Sequence, residues 1–151
     1  MTIDDDLGPR LSDRLTYRLK RALVDLEALH EQHLGPSGIN ARELTVLLFL
    51  DGREPESQQQ AAARLGIDRT TMVALLDALE RKGLVARRPD AGDRRRNVVL
   101  LTDAGQATLR QATRASDTAE RELLADLDDH EAAQLRDLLK RVNHADACGR
   151  M

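Results

Sequence analysis

Five arginines, Arg87, Arg88, Arg94, Arg95 and Arg96, crowd around the turn-forming run Pro89-Asp90-Ala91-Gly92. Guanidinium groups at this density suit a polyanion, and Arg is the side chain favoured in a narrow minor groove, where the negative potential is deepest. Asp93 stands two residues before Arg95. A carboxylate there can pair with the guanidinium and hold it in one orientation, reducing the entropy lost on binding. Upstream, Asp68, Arg69, Thr70 and Thr71 open a predicted helix. The N-terminal residues of such a helix are the ones that reach base edges and phosphates in a major groove. The two groups together describe a DNA surface, with a helix for the major groove and a basic loop for the neighbouring minor groove.

The elements that must position these residues follow one another with almost no slack. Ser57 suits an N-cap, and Gln60 sits where a capping box wants Glu or Gln. Ala61, Ala62 and Leu65 supply small and apolar positions at helical spacing, and Gly66 closes the helix. Asp68 caps a second helix from Arg69 to about Lys82, whose Met72, Leu75, Leu76 and Leu79 form one buried face. Gly83 ends it. Only Gly66-Ile67-Asp68 separates the two helices, the length and glycine content expected of a helix-turn-helix. Leu84 and Val85, then Val98 to Leu101, suit the two strands of a hairpin that carries the arginines.

Charge divides the chain in the same way. Residues 57–102 hold nine basic and five acidic side chains, a net of +4 in a chain of net −3, which leaves −7 on the remainder. The asymmetry between segments matters more than the acidic total, and the acidic remainder discourages indiscriminate sticking to DNA.

The segment resembles the DNA-binding domain of the multiple antibiotic resistance regulator (MarR) family. The resemblance rests on Leu65-Gly66-Ile67-Asp68-Arg69-Thr70-Thr71 and on Leu79-Glu80-Arg81-Lys82-Gly83-Leu84-Val85. It continues through Asp93-Arg94-Arg95 and Leu101-Thr102-Asp103-Ala104-Gly105, and more weakly to both ends of the chain. It implies a mainly α fold with a small β-hairpin wing, a winged helix-turn-helix with long N- and C-terminal dimerisation helices. It also implies a dimeric transcription regulator, most often a repressor, that releases DNA when a small molecule binds. Carried over by residue, Arg95 reaches into the minor groove and Asp93 braces it, while Asp68, Arg69, Thr70 and Thr71 read bases and phosphates. Ala74 stands where many relatives carry Arg, so an operator sequence does not transfer. Its methyl group suits contact with a thymine methyl. The family's effector cleft, between the dimerisation helices and the winged helix, maps to Tyr17, Arg18, Arg21, Phe49 and Asp77, whose arginines suit an anionic or phenolic small molecule.

The 151 residues read as one domain, with 41–102 as the winged helix-turn-helix and 10–34 and 103–146 as dimerisation helices. From Arg10 to about His33 a stripe of Leu11, Leu15, Leu19, Ala22, Leu23, Leu26 and Leu29 predicts one long helix, broken at Leu34 to Gly38. Ala41 to Leu50 predicts another, with Leu44, Leu47, Leu48 and Phe49 inward. After Thr102 come a long helix and a last one carrying Leu135, Leu138, Leu139 and Val142. A single winged helix cannot cover so many leucines. The first and last helices are therefore expected to interlock between two copies, the alternative being a monomeric six-helix bundle. A two-fold dimer implies a pseudo-palindromic operator with half-sites about one helical turn apart.

Other classes find less support. No nucleophile with its base, Gly-rich phosphate loop or carboxylate pair is recognisable, so an enzyme is not expected, and no cofactor. A winged helix serving only as a protein platform tends to lose its basic wing. His30 and His33 share a helix face, but two ligands do not make a metal site. Cys148, close to the C-terminus, lacks the setting of a redox sensor. No run of eighteen apolar residues occurs, and the acidic MTIDDDLGPR start is unlike a signal peptide, so a cytoplasmic location is expected.

Overall fold

The computed structural model describes residues 7–143. Among them seven α-helices and three strands follow in order: α1 (Pro9–Ser12), α2 (Leu15–Leu34), α3 (Ala41–Leu50), β1 (Glu56–Ser57), α4 (Gln58–Leu65), α5 (Arg69–Arg81), β2 (Val85–Pro89), β3 (Asn97–Leu101), α6 (Asp103–Leu123) and α7 (Asp129–Asn143), with a 3-10 turn at Gly35–Ser37 after α2. The long helices α2 and α6 lie against each other, and α3, α4 and α5 gather over the small sheet. The result is the expected mainly α architecture with a β-hairpin wing.

Local chemistry sets most of the boundaries. Asn40 and Ser57 each make a complete capping box, with Glu43 and Gln60 respectively. Gly66 ends α4 at φ 64°, a left-handed conformation that costs other residues a Cβ clash. Asp68 caps α5, and Thr102 caps α6 through the Gly105 amide. The expected single helix from Arg10 to His33 is divided: Arg14 is extended at φ −71°, ψ 134° and begins α2 afresh. Ser12 and Asp13 precede it, and both types compete with helical hydrogen bonding.

The antiparallel sheet has the order β1-β3-β2. Val85 pairs with Leu101 and Pro89 with Asn97, so Pro89 belongs to the end of β2 rather than to the turn. A proline is tolerated there because β2 is an edge strand. The two-residue β1, unforeseen from the sequence, pairs Glu56 with Val99 and Ser57 with Val98.

The core is aliphatic. Leu34, Leu47, Met72, Leu76, Leu79, Val46 and Val99 are its largest fully buried side chains. Leu48, expected inward, is half exposed, and Val46 occupies the core in its place. One ion pair crosses into this core. Lys82 Nζ donates to both carboxylate oxygens of Glu43, at 3.0 and 2.8 Å, and to the Gly38 carbonyl at 2.9 Å. Glu43 is 3% exposed, so removing Lys82 would strand a buried charge.

The base of the wing is joined to the helices at Thr102. Thr102 Oγ1 donates to the Gly83 carbonyl at 2.6 Å and accepts from the Gly105 amide at 3.0 Å, and the Thr102 amide donates to the Leu84 carbonyl at 3.1 Å. Gly105 is buried there. A Cβ on it would overlap the Leu84 carbonyl oxygen and come within 3.0 Å of the carbonyl carbon. Gly105→Ala gains helix propensity of up to about 1 kcal/mol but forces backbone apart. We expect the overlap to win, with a net loss of about 1–3 kcal/mol seen as a lower melting temperature. A melting temperature equal to or above that of the parent protein would contradict this account of the junction.

Candidate nucleic-acid interface

The N-terminus of α5 is built around Asp68. Its Oδ1 accepts from the Thr71 amide at 2.8 Å and its Oδ2 from the Thr71 hydroxyl at 2.6 Å. These bonds, the hydroxyl's first, hold the Asp68 carboxyl below its ordinary value of 3.8. The cap is therefore intact at neutral pH and is lost only as pH falls through that lowered value. Thr71 spends its hydroxyl proton on this cap, whereas Arg69, Thr70 and Ala74 are exposed beside it.

The wing loop is fixed by its own polar atoms. The Asp90 amide donates to the Arg96 carbonyl at 2.8 Å and the Arg96 amide to the Asp93 carbonyl at 3.0 Å. Asp93 Oδ1 accepts from the Arg95 amide at 3.0 Å, while the Arg95 Nε lies 3.9 Å from the same oxygen. Asp93 thus braces the backbone of Arg95 more than its guanidinium. The Arg95 side chain is 95% exposed. Arg88 and Arg94 are exposed as well, and Arg96 donates to Ser57 Oγ at 3.2 Å.

Arg87 behaves differently from the other wing arginines. Strand alternation puts it on the same face as buried Val85, toward α5. Its Nη2 lies 2.8 Å from Asp77 Oδ1 and its Nη1 3.3 Å from Glu80 Oε1. The two carboxylates sit at i and i+3, on one side of the helix. Only 20% of the Arg87 side chain is exposed. Its place is within the fold, tying the wing to α5, and the alternation of β2 with the Asp77/Glu80 spacing is the signal that sequence reasoning passed over.

A cleft of about 440 Å³ separates α5 from the wing. It is lined by the first turn of α4, by Arg69, Met72, Val73 and Asp77 of α5, and by Arg87, Arg95, Arg96 and Asn97 of the wing. Of the five residues expected to form an effector cleft, two line separate grooves of this chain. Asp77 lines this groove, engaged by Arg87. Phe49 lies beside β3 with the Arg53 guanidinium 4.3 Å from its ring centre. Tyr17, Arg18 and Arg21 line neither place. Helix α5 packs on β2 and on α3, and α3 in turn meets α2.

His30 and His33 each meet α6, His30 Nε2 at 2.8 Å from Ser116 Oγ and His33 Nε2 at 2.9 Å from Glu122 Oε1. Lys82, exposed at the end of α5, is paired with Glu43 of α3. His144 and Cys148 lie outside the described residues. Among the described residues, no helix is long and apolar enough to cross a membrane.

A capped helix beside a basic hairpin, joined across a short glycine turn to a preceding helix, defines a winged helix-turn-helix protein of the DNA-binding kind. Residues 37–96 match the model of the MarR family. A transcriptional repressor, CouR, solved bound to a 23-mer DNA duplex, is 35% identical, with a TM-score of 0.83 over 89% of this chain and 95% of that one. A probable transcriptional regulator from Pseudomonas aeruginosa is 30% identical, with a TM-score of 0.80 over 87% and 98%. CouR from Rhodococcus jostii RHA1 bound to p-coumaroyl-CoA is 29% identical, with a TM-score of 0.77 over 89% and 95%. The chain belongs to the MarR family of transcriptional regulators.

If Arg87 is a strut rather than a phosphate contact, Arg87→Met and Asp77→Asn should weaken DNA binding by similar factors. The double variant should be no weaker than either single one, the mark of one shared interaction. The slope of log affinity against log salt should not change. A slope shallower by about 0.9 in Arg87→Met alone, the value for one lost phosphate contact, would return Arg87 to the DNA surface.

Proposed function

We propose that the protein is a homodimeric, sequence-specific DNA-binding repressor that a small molecule releases from its operator. The observation that carries the reading is the juxtaposition of α5 and the wing. Arg69 and Thr70 open a capped helix, and the 95%-exposed Arg95 stands on a loop fixed by Asp93 across one basic cleft. A helix for the major groove and an exposed guanidinium for the minor groove are what base readout and groove-width readout need. In this reading Arg88, Arg94 and Arg96 supply phosphate contacts, Ala74 meets a base edge, and Asp68 orients the helix.

Dimerisation is supported by what the fold leaves uncovered. Leu11, Leu15, Leu19 and Leu23 on α1 and α2, and Leu138, Leu139 and Val142 on α7, are all at least 38% exposed. A monomeric bundle would have buried them. Patches of this kind mark association surfaces, and a second copy of the same helices supplies the missing cover. Residues 10–34 and 103–146 are then the dimerisation part and 41–102 the DNA-binding part. Repression and ligand response follow the relatives, one a repressor on DNA and one bound to p-coumaroyl-CoA. An anionic or phenolic compound is the class proposed for this chain.

Arg95→Ala tests the wing assignment. Its side chain touches little of the protein, so the melting temperature should not move. Affinity for duplex DNA should fall by an amount on the order of 1–3 kcal/mol, about 5- to 150-fold. Unchanged affinity would remove Arg95 from the interface.

A further inference from the structure

Apolar packing fixes the position of α5 more firmly than its roll. Met72, Leu76 and Leu79 form a single buried stripe, and burial of this kind is non-directional. At about 100° per residue, Glu80 lies about 80° to one side of Met72 and Lys82 about 80° to the other. Each flank of the stripe carries a polar tie. Glu80, with Asp77 beyond it, meets Arg87 of the wing. Lys82 meets Glu43 of α3 and the Gly38 carbonyl. Thr70 and Ala74 are exposed on α5, away from the stripe. We propose that Lys82 and Glu43 are positioning residues for sequence readout: their ion pair sets the roll of α5, and with it the direction in which Thr70 and Ala74 face base edges. This inference rests on the DNA-binding reading above, in which neither residue touches the duplex.

The pair is built for direction. Lys82 Nζ spends its three N–H donors on three oxygens, Glu43 Oε1 at 3.0 Å, Glu43 Oε2 at 2.8 Å and the Gly38 carbonyl at 2.9 Å. A compact ammonium can serve three acceptors around one point, which a planar guanidinium cannot. Lys82 is one of three lysines among the 23 lysine and arginine residues of the chain, so the choice of side chain fits the geometry. The acceptors are themselves fixed. Glu43 is 3% exposed, and its Oε1 also accepts from the Asn40 amide at 3.1 Å. Gly38 closes the 3-10 turn at φ 79°, with its amide donating to the Gly35 carbonyl at 3.1 Å. The Ser37 hydroxyl donates at 2.6 Å to the carbonyl of Leu34, the buried last residue of α2. One nitrogen thus indexes α5 to the end of α2 and the start of α3. A buried ion pair gives little net stability over a neutral pair of the same volume, so cohesion alone does not account for it. Orientation does. A roll of about 10° moves a group at the helix surface, about 5–6 Å from the axis, by about 1 Å. That is enough to spoil hydrogen bonds to base edges. Phosphate contacts by long arginines tolerate the same shift, because they position without reading sequence.

The double variant Glu43→Gln/Lys82→Met provides the test. It removes one charge of each sign, so the net charge that steers DNA to the protein is unchanged. Neutral side chains of similar size in place of a buried pair should leave it folded. The probes are two fluorescent duplexes, one that the parent protein enriches from a random library and the scrambled form of the same sequence. Discrimination between them should fall by about tenfold or more, through weaker binding of the enriched duplex. Affinity for the scrambled duplex should change less than about twofold, with the same salt slope. Glu43→Gln alone keeps an acceptor for Lys82 and for the Asn40 amide. It should lose part of the discrimination, and it decides the question if the double variant does not fold. Parent-like discrimination in the folded variant would overturn the proposal and leave the DNA-binding reading intact. Equal weakening on both duplexes would also overturn it, by making the pair a support of the fold alone. A parent protein that enriches no duplex would overturn the DNA-binding reading together with the proposal.

Discussion

The hydroxyl of Thr102 is the point on which the geometry of the interface depends. It donates to Gly83, where α5 has just ended, and accepts from Gly105, where α6 has just begun. The Thr102 amide meanwhile bonds Leu84, at the entrance to the wing. Recognition helix, both ends of the hairpin and the long α6 therefore converge on a few backbone groups. A glycine at 105 lets those backbones touch. The L-T-x-x-G run of the sequence thus has a physical explanation. It carries no DNA contact in this account. It sets the angle at which the DNA-contacting parts leave the core.

A consequence concerns how a ligand would act. Lys82 ties the far end of α5 to Glu43 of α3 and to the Gly38 turn, and Arg87 ties the wing to the middle of α5. With Thr102 closing the third side, α5 and the wing are tied to each other and to α6. A change in the spacing of two such bodies in a dimer would move helix and wing together. Rigid-body shifts about an interface are the usual route from a local binding event to a loss of fit. A ligand would need only a difference in affinity between the fitting and non-fitting arrangements.

Much of this was legible in the sequence because it is local chemistry. The capping box at Ser57, the turn at Gly66 and the caps at Asp68 and Thr102 each need only residues within a few positions of one another. The aliphatic stripe of α5 needs only its own period. What escaped depends on partners far along the chain. β1 is two residues long and exists because β3 lies alongside. The inward turn of Arg87 is decided by carboxylates ten and seven residues away on another element. Lys82 is an ordinary helix-end lysine until Glu43 is placed beside it. Leu48 and Val46 are equally apolar, and only the direction of α3 against the sheet decides which is buried.

The central claim is that two copies of this chain present their helices and wings to successive turns of one duplex. It is tested most directly by binding the purified protein to fragments of genomic DNA at moderate salt and sequencing what is retained. The account predicts a shared pseudo-palindrome whose half-sites lie about one helical turn apart. Recovery of unrelated fragments without a common repeat, or of none, would contradict it.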